Sequence, residues 1–243
     1  MSSMRCCGAV LVLFVLPALA QSPQNRQTTK ADGMPHVGIS IQQLESQARG
    51  AVVARNIDAA IADYQKLAQV MPHSAAFQDE LGFLLAASKR TSESIEHFRR
   101  ATEIDPKLAT AWFHLGAALM LSGEQDAGIQ ALEKAVALQP NREDFRYRLG
   151  AAYNDAHKYA KAIPQLEIAG EQMGTPEAVW EALGIACQQQ QKWPEARTAY
   201  EHALKLDPNN SRIRDSYGYV LARSGAIDSA IAQFREILRQ QPE

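Results

Sequence analysis

The hydrophobic pattern of the chain falls into three regimes. Residues 8 to 16 form an unbroken apolar run, residues 21 to 40 are mostly polar with no periodicity, and from residue 41 onward apolar side chains return every three or four positions. Trp112, Leu115 and Leu119, followed by Ile129, Leu132 and Val136, show the last regime, the spacing of one buried face on each of two successive helices. Arg5 carries the only side-chain charge before the apolar run, which is followed by Pro17 and Ala18-Leu19-Ala20. That order is the pattern of a secretory signal peptide, and a membrane-spanning helix would need about 20 apolar residues. Residues 1–20 are therefore expected to be removed near Ala20, leaving an exported, periplasmic or secreted chain with no membrane span. Residues 21–40 hold too few apolar side chains to bury and are expected to form a flexible leader.

Within the helical regime a ruler is visible. Gly82, Gly116, Gly150, Gly184 and Gly218 stand 34 residues apart, and Pro72, Pro106, Pro140, Pro208 and Pro242 repeat on the same lattice, with Gly174 at the missing place and Pro176 two residues later. Each proline ends the second helix of a pair. The lattice divides the chain into six units, 41–74, 75–108, 109–142, 143–176, 177–210 and 211–243. The expected fold class is all-α, with each unit burying its apolar face only by stacking on its neighbours. Glycines facing Ala162, Ala196 and Ala230 are expected to let paired helices approach, with Ala101, Ala135, Ala169 and Ala203 doing the same against the next unit. Phe98, Tyr200 and Phe234 would fill the space beside these contacts. Pro164, inside the second helix of the fourth unit, should make that helix start late or kink, whereas Pro194 sits near a helix start, where proline is tolerated.

Trp180, Leu183-Gly184, Cys187, Ala196, Tyr200, Ala203 and Pro208 resemble the tetratricopeptide repeat family. The series Leu81-Gly82, Phe98, Ala101, Pro106 repeats the resemblance, as do Leu115-Gly116, Leu132, Ala135, Pro140 and Leu149-Gly150, Tyr153, Ala162, Leu166, Ala169. It covers everything after the leader, and it implies a right-handed α-solenoid of helix-turn-helix repeats that serves as a protein-interaction scaffold. In that family the second, fifth, ninth and twelfth places of each unit face a concave groove. The resemblance puts Asp79, Phe83, Phe113, Ala117, Met120, Tyr147, Ala151, Asn154, Glu181, Ile185, Gln188 and Tyr219 there. The centre of such a groove is apolar and its flanks, at Glu45, Asp79, Glu181 and Asp215, are acidic. Its expected occupant is a protein or peptide segment, extended or helical, that is apolar with basic residues. The Lys and Asn clamp by which some members hold a terminal carboxylate is absent, because Phe83, Phe113, Tyr147 and acids occupy those places. Terminal units depart from the pattern: Gln47 and Ala48 replace Leu-Gly in the first, and Tyr217 and Ile237 stand in the last. Residual apolar surface at Ile231, Ile237 and Leu238, beside polar Asp228, Gln233, Arg235, Glu236 and Arg239, gives an expectation of weak self-association through the C-terminal repeat.

Charge and reactive residues narrow the picture. Twenty-five Lys plus Arg against 27 Asp plus Glu leave a net charge of -2, with no electrostatic reason to expect nucleic acid. Of the three cysteines, Cys6 and Cys7 lie in the expected signal, so only Cys187 remains, at a core position where a thiol acts as a small hydrophobe. His36, His73, His97, His114, His157 and His202 share no helix face and are expected at scattered surface positions, with no metal site. No phosphate loop, nucleophile elbow or zinc-helix motif is present, so neither a cofactor nor an enzymatic role is expected. Asn209-Asn210-Ser211 is a formal glycosylation sequon in an inter-repeat loop. Two alternative roles stay open. One is an envelope assembly factor similar to the six-repeat pilotins of type IV pilus biogenesis. Those are lipoproteins, and here Gln21 stands where a lipidated cysteine would be. The other is a carbohydrate or cell-wall enzyme accessory using Asp144, Asp155 and Glu181.

Overall fold

The computed structural model describes residues 40–171 and 174–240; the expected signal peptide and all of the expected leader but Ser40 lie outside them. The described residues form twelve helices and no strands. They are α1 Ile41–Val53, α2 Ile57–Val70, α3 Ala75–Ala87, α4 Thr91–Ile104, α5 Ala109–Ser122, α6 Gln125–Leu138, α7 Glu143–Asp155, α8 Tyr159–Gly170, α9 Glu177–Gln189, α10 Trp193–Leu206, α11 Ser211–Arg223 and α12 Ile227–Gln240. Odd-numbered helices are the first of each pair and even-numbered helices the second.

One turn, built six times, joins each pair. Arg55, Lys89, Gly123, His157, Gln191 and Gly225, spaced by the same 34 residues, all hold the left-handed backbone, with φ between 55° and 89°. In each case the next residue's N–H reaches five residues back, as from Asn56 to the Ala51 carbonyl at 2.9 Å and from Lys158 to Tyr153 at 2.7 Å. The left-handed residue itself donates three residues back, as from Gln191 to the Gln188 carbonyl at 3.0 Å. This pair of bonds is the Schellman motif, which satisfies the carbonyls at a helix end and turns the chain back on itself. The turn also fixes where the second helix begins. The α8 helix therefore starts on the lattice at Tyr159 despite Pro164, and the expected late start is not seen. Pro194 lies in the first two positions of α10, where its missing N–H costs nothing.

The lattice glycines do not chiefly face alanines. A Cβ on Gly82 would lie 2.7 Å from the Phe98 ring, on Gly184 2.6 Å from Tyr200, and on Gly218 2.6 Å from Phe234. Leu132 and Leu166 fill the same place against Gly116 and Gly150, at 2.6 and 2.5 Å. Each glycine is thus a socket for the large residue sixteen positions later, because the antiparallel turn brings those two side-chain directions together. Ala162, Ala196 and Ala230 are buried beside the socket. Only in the third repeat, where Gly128 replaces that alanine, does backbone meet backbone: a Cβ on Gly128 would lie 3.0 Å from the Gly116 carbonyl oxygen.

Each second helix from α2 to α10 packs between its own first helix and the first helix of the next pair, and α12 packs on α11. First helices also touch one another directly, α3 with α5, α5 with α7 and α7 with α9, whereas the second helices form no such row. A stack in which one row is in mutual contact and the other is spread apart curves toward the contacting row, so the first helices line its inner side.

Candidate functional site

The inner side is built from the seams between successive first helices, and Asp79, Phe113, Asn154 and Glu181, among the groove residues expected from the sequence, make contacts across those seams. At the α3–α5 seam, Asp79 is buried and accepts hydrogen bonds from the Thr110 hydroxyl at 3.1 Å and from His114 Nδ1 at 2.8 Å. The His114 ring sits among Phe83, Phe98 and Phe113, with centroids 5.4, 5.4 and 5.7 Å away. Burial by itself would lower the His114 imidazole, but the Asp79 charge and hydrogen bond, aided by Glu80, outweigh it and hold His114 above the ordinary histidine value. Burial raises the neighbouring Glu80 carboxyl, and the Asp79 charge adds to the effect.

At the α5–α7 seam Phe113 stacks on Phe145 at 4.6 Å with planes 17° apart. Between α7 and α9 the Asn154 amide donates to the Ala182 carbonyl at 2.9 Å, and its Oδ1 is buried without a partner among the described residues. Between α9 and α11 Arg212 donates to Glu181 at 2.7 Å. Gln188 accepts from the Tyr200 hydroxyl at 3.0 Å. The Met120 side chain is turned onto Gly128 of its partner helix. Ala117, Ala151, Tyr147 and Ile185 are half-buried, and Tyr219 is exposed, edge-on to Trp193 at 6.5 Å. Burial pushes the Tyr147 hydroxyl above its ordinary value.

This arrangement separates two groups that the sequence alone places together. Phe83, Phe113, Tyr147, Ile185 and Tyr219 keep open surface along the inner side. Asp79, Asn154, Glu181 and Gln188 spend hydrogen bonds on the stack itself. The acidic flank is accordingly thinner than expected, with Glu45 also bound by Arg49 at 2.6 Å, while Asp215 is exposed with no hydrogen-bond or ion-pair partner among the described residues.

The histidines also differ from expectation. His73 and His157 are exposed, but His97 Nδ1 donates to the Gln78 Oε1 at 2.8 Å, His202 stacks on Trp180 at 4.4 Å, and His114 joins the Asp79 seam. His36 lies outside the described residues. No group of three or more His, Cys, Asp or Glu residues able to hold a metal exists among the described residues. Cys187 is buried, and burial pushes its thiol up to about 11. Asp144 and Asp155 stand eleven residues apart on α7, about 16 Å along its axis, so they do not form a catalytic carboxylate pair. Asp144 is held by Arg142 at 2.6 and 2.8 Å. No described helix is long and apolar enough to cross a membrane.

Three family models match the sequence: tetratricopeptide repeat over residues 109–142 and again over 177–210, and TPR repeat over 82–123. The chain is a tetratricopeptide repeat protein. The repeat stack resembles solved structures of the same all-α solenoid class. One is YrrB, described as a TPR protein with an unusual peptide-binding site, at 18% identity and a TM-score of 0.69 over 74% of this chain and 93% of that one. MamA of MSR-1 matches at 25% identity and a TM-score of 0.63, over 68% and 95% of the two chains. MamA from Desulfovibrio magneticus RS-1 matches at 19% identity and a TM-score of 0.63, over 70% and 97%. No curated protein sequence matches the chain.

Proposed function

We propose that this tetratricopeptide repeat protein is an exported interaction scaffold whose inner, first-helix side holds a segment of another protein. One observation carries the reading. Phe83, Phe113, Tyr147 and Ile185 remain half-open on four consecutive first helices, and the row ends in exposed Tyr219, while Asp79, Glu181 and the Asn154 amide N–H are bound within the stack. A surface of aromatic anchors whose neighbouring acids are engaged within the stack is suited to apolar side chains of a peptide. The small residues Ala117 and Ala151 leave room for them on α5 and α7. The occupant is therefore chiefly apolar. Its basic residues are sparse, because Asp79 and Glu181 are engaged internally and exposed Asp215 is the acid of the row left to meet them. Export rests on the apolar run and Ala18-Leu19-Ala20 of the sequence.

The test has two arms. Protein purified from an expressing cell's envelope extract is used to capture its partner, and the affinity is then measured for wild type and for Phe113→Ala combined with Tyr147→Ala. Both truncations are expected to weaken binding at least tenfold with the helical signal retained. Unchanged affinity overturns the groove. Mass spectrometry of the processed chain is expected to begin near Gln21, and a chain beginning at Met1 overturns export.

A further inference from the structure

The two ends of the described repeat stack present different outer faces. At the N-terminal end the outer side of α1 carries Gln43, Gln47 and Gly50, all exposed, at the lattice places that hold buried Ala111, Leu115 and Ala118 two repeats later. That end is sealed by polar residues. At the C-terminal end no such replacement has occurred. Ile231 occupies the place of Ile61, Ile95, Ile129 and Ile163, which are at most 6% exposed beneath the next first helix, and of Arg197, the exposed charged residue of α10; Ile231 is 41% exposed. Phe234 is only half-buried where Phe98, Leu132, Leu166 and Tyr200 are covered entirely. Together with Ile227 at 53% and Leu238 at 72% exposure, they form an open apolar stripe along α12.

The stripe has a symmetry of its own. Its members 227, 231, 234 and 238 are spaced by four, three and four residues, so it reads the same in either direction. This is the alternating spacing of a two-helix seam, and a stripe with that symmetry matches a copy of itself laid antiparallel, Ile227 beside Leu238 and Ile231 beside Phe234. Charge follows the same rule. Asp228 and Arg235 are both exposed, lie seven residues apart on the same flank of the stripe, and are unpaired among the described residues. In the antiparallel arrangement Asp228 of each copy falls beside Arg235 of the other, giving two reciprocal ion pairs around a twofold axis.

We infer that a second copy of this chain covers α12, through an antiparallel, twofold α12–α12 contact. Head-to-tail continuation of the stack is disfavoured by the polar face of α1, so association stops at the dimer. The contact is separate from the inner side, which stays open in both copies.

Sedimentation velocity on the full chain over a wide concentration range tests this. The expected result is a reversible monomer–dimer equilibrium. Leu238→Glu raises the dissociation constant at least tenfold, and Asp228→Arg raises it as well. Combining Asp228→Arg with Arg235→Asp restores it, because the reciprocal pairs are then rebuilt with reversed sign. All three residues are exposed, and circular dichroism verifies that each variant keeps its helices. A monomer at every concentration overturns the inference, including one whose α12 amides are protected from hydrogen exchange by another segment of the same chain. So does association that ignores Leu238→Glu, or a charge exchange that fails to restore it.

Discussion

The six left-handed turn residues make a quantitative prediction, because two of them are glycine and four are not. An L residue with a side chain held in the left-handed region costs roughly 1–2 kcal/mol, whereas glycine adopts it freely. Placing glycine there also loosens the unfolded chain, an opposing effect of about 0.5–1 kcal/mol. The net gain per site is therefore about 0.5–1 kcal/mol. Arg55, Lys89 and Gln191 are the cleanest sites, since all three are exposed and none makes a side-chain hydrogen bond among the described residues. They lie in different repeats, so their effects should add. Arg55→Gly, Lys89→Gly and Gln191→Gly together should stabilise the protein by about 1.5–3 kcal/mol, raising the midpoint of thermal unfolding by roughly 3–10 °C for a chain of this size. The reverse change is the control. A Cβ on Gly123 meets nothing within 4 Å, so Gly123→Ala introduces backbone strain and no clash, and should cost about 1 kcal/mol. Thermal and urea unfolding followed by circular dichroism measure both. A triple glycine variant no more stable than wild type, alongside a neutral Gly123→Ala, would refute the claim that these turns carry strain.

Other consequences can be checked in the same way. Gly184→Ala drives a methyl group to 2.6 Å from the Tyr200 ring and should cost about 2–4 kcal/mol, whereas Gly50→Ala, in open space within α1, should stabilise by about 0.5–1 kcal/mol; equal effects in urea unfolding would discredit the socket. Because His114 is held above the ordinary histidine value in the folded protein, its charged pair with Asp79 contributes stability that is complete below that ordinary value and is lost as the pH rises through the raised one. Asp79→Asn should flatten this part of the stability profile, and a His114 ring signal titrating at or below the free histidine value by NMR would contradict it. Cys187 should resist a thiol reagent in the native state at mildly alkaline pH and react on unfolding, and rapid native labelling would show that the thiol is not sealed in the core.

How far the sequence reaches can be judged at particular residues. Gly184 and Pro208 announce a 34-residue period because successive repeats restate the same needs, a glycine that seats the large residue sixteen positions later and a proline that ends the second helix. The turn lattice was harder to see: only Gly123 and Gly225 mark it, and Arg55, Lys89, His157 and Gln191 tolerate the same geometry at a cost. Asp79 and Glu181 read as groove carboxylates from their place in the repeat, yet each is engaged by a residue of the following first helix, 31 to 35 positions away. Nothing in the repeat pattern distinguishes an acid that is satisfied across a seam from Asp215, which is exposed. His114 was missed for the same reason, since its lattice place carries Arg148 one repeat later and Glu80 one repeat earlier.

The sequence by itself determined the class of fold, the repeat length and the places where helices begin and end, because those follow from local backbone preferences and a hydrophobic period that each repeat restates. Tertiary structure alone decided which residues are still available to a partner. Availability depends on how closely successive first helices approach, and on whether another helix covers a given face. The same repeat position is a buried isoleucine in α2, α4, α6 and α8, an exposed arginine in α10 and an open isoleucine in α12, where the described stack offers no next helix to cover it.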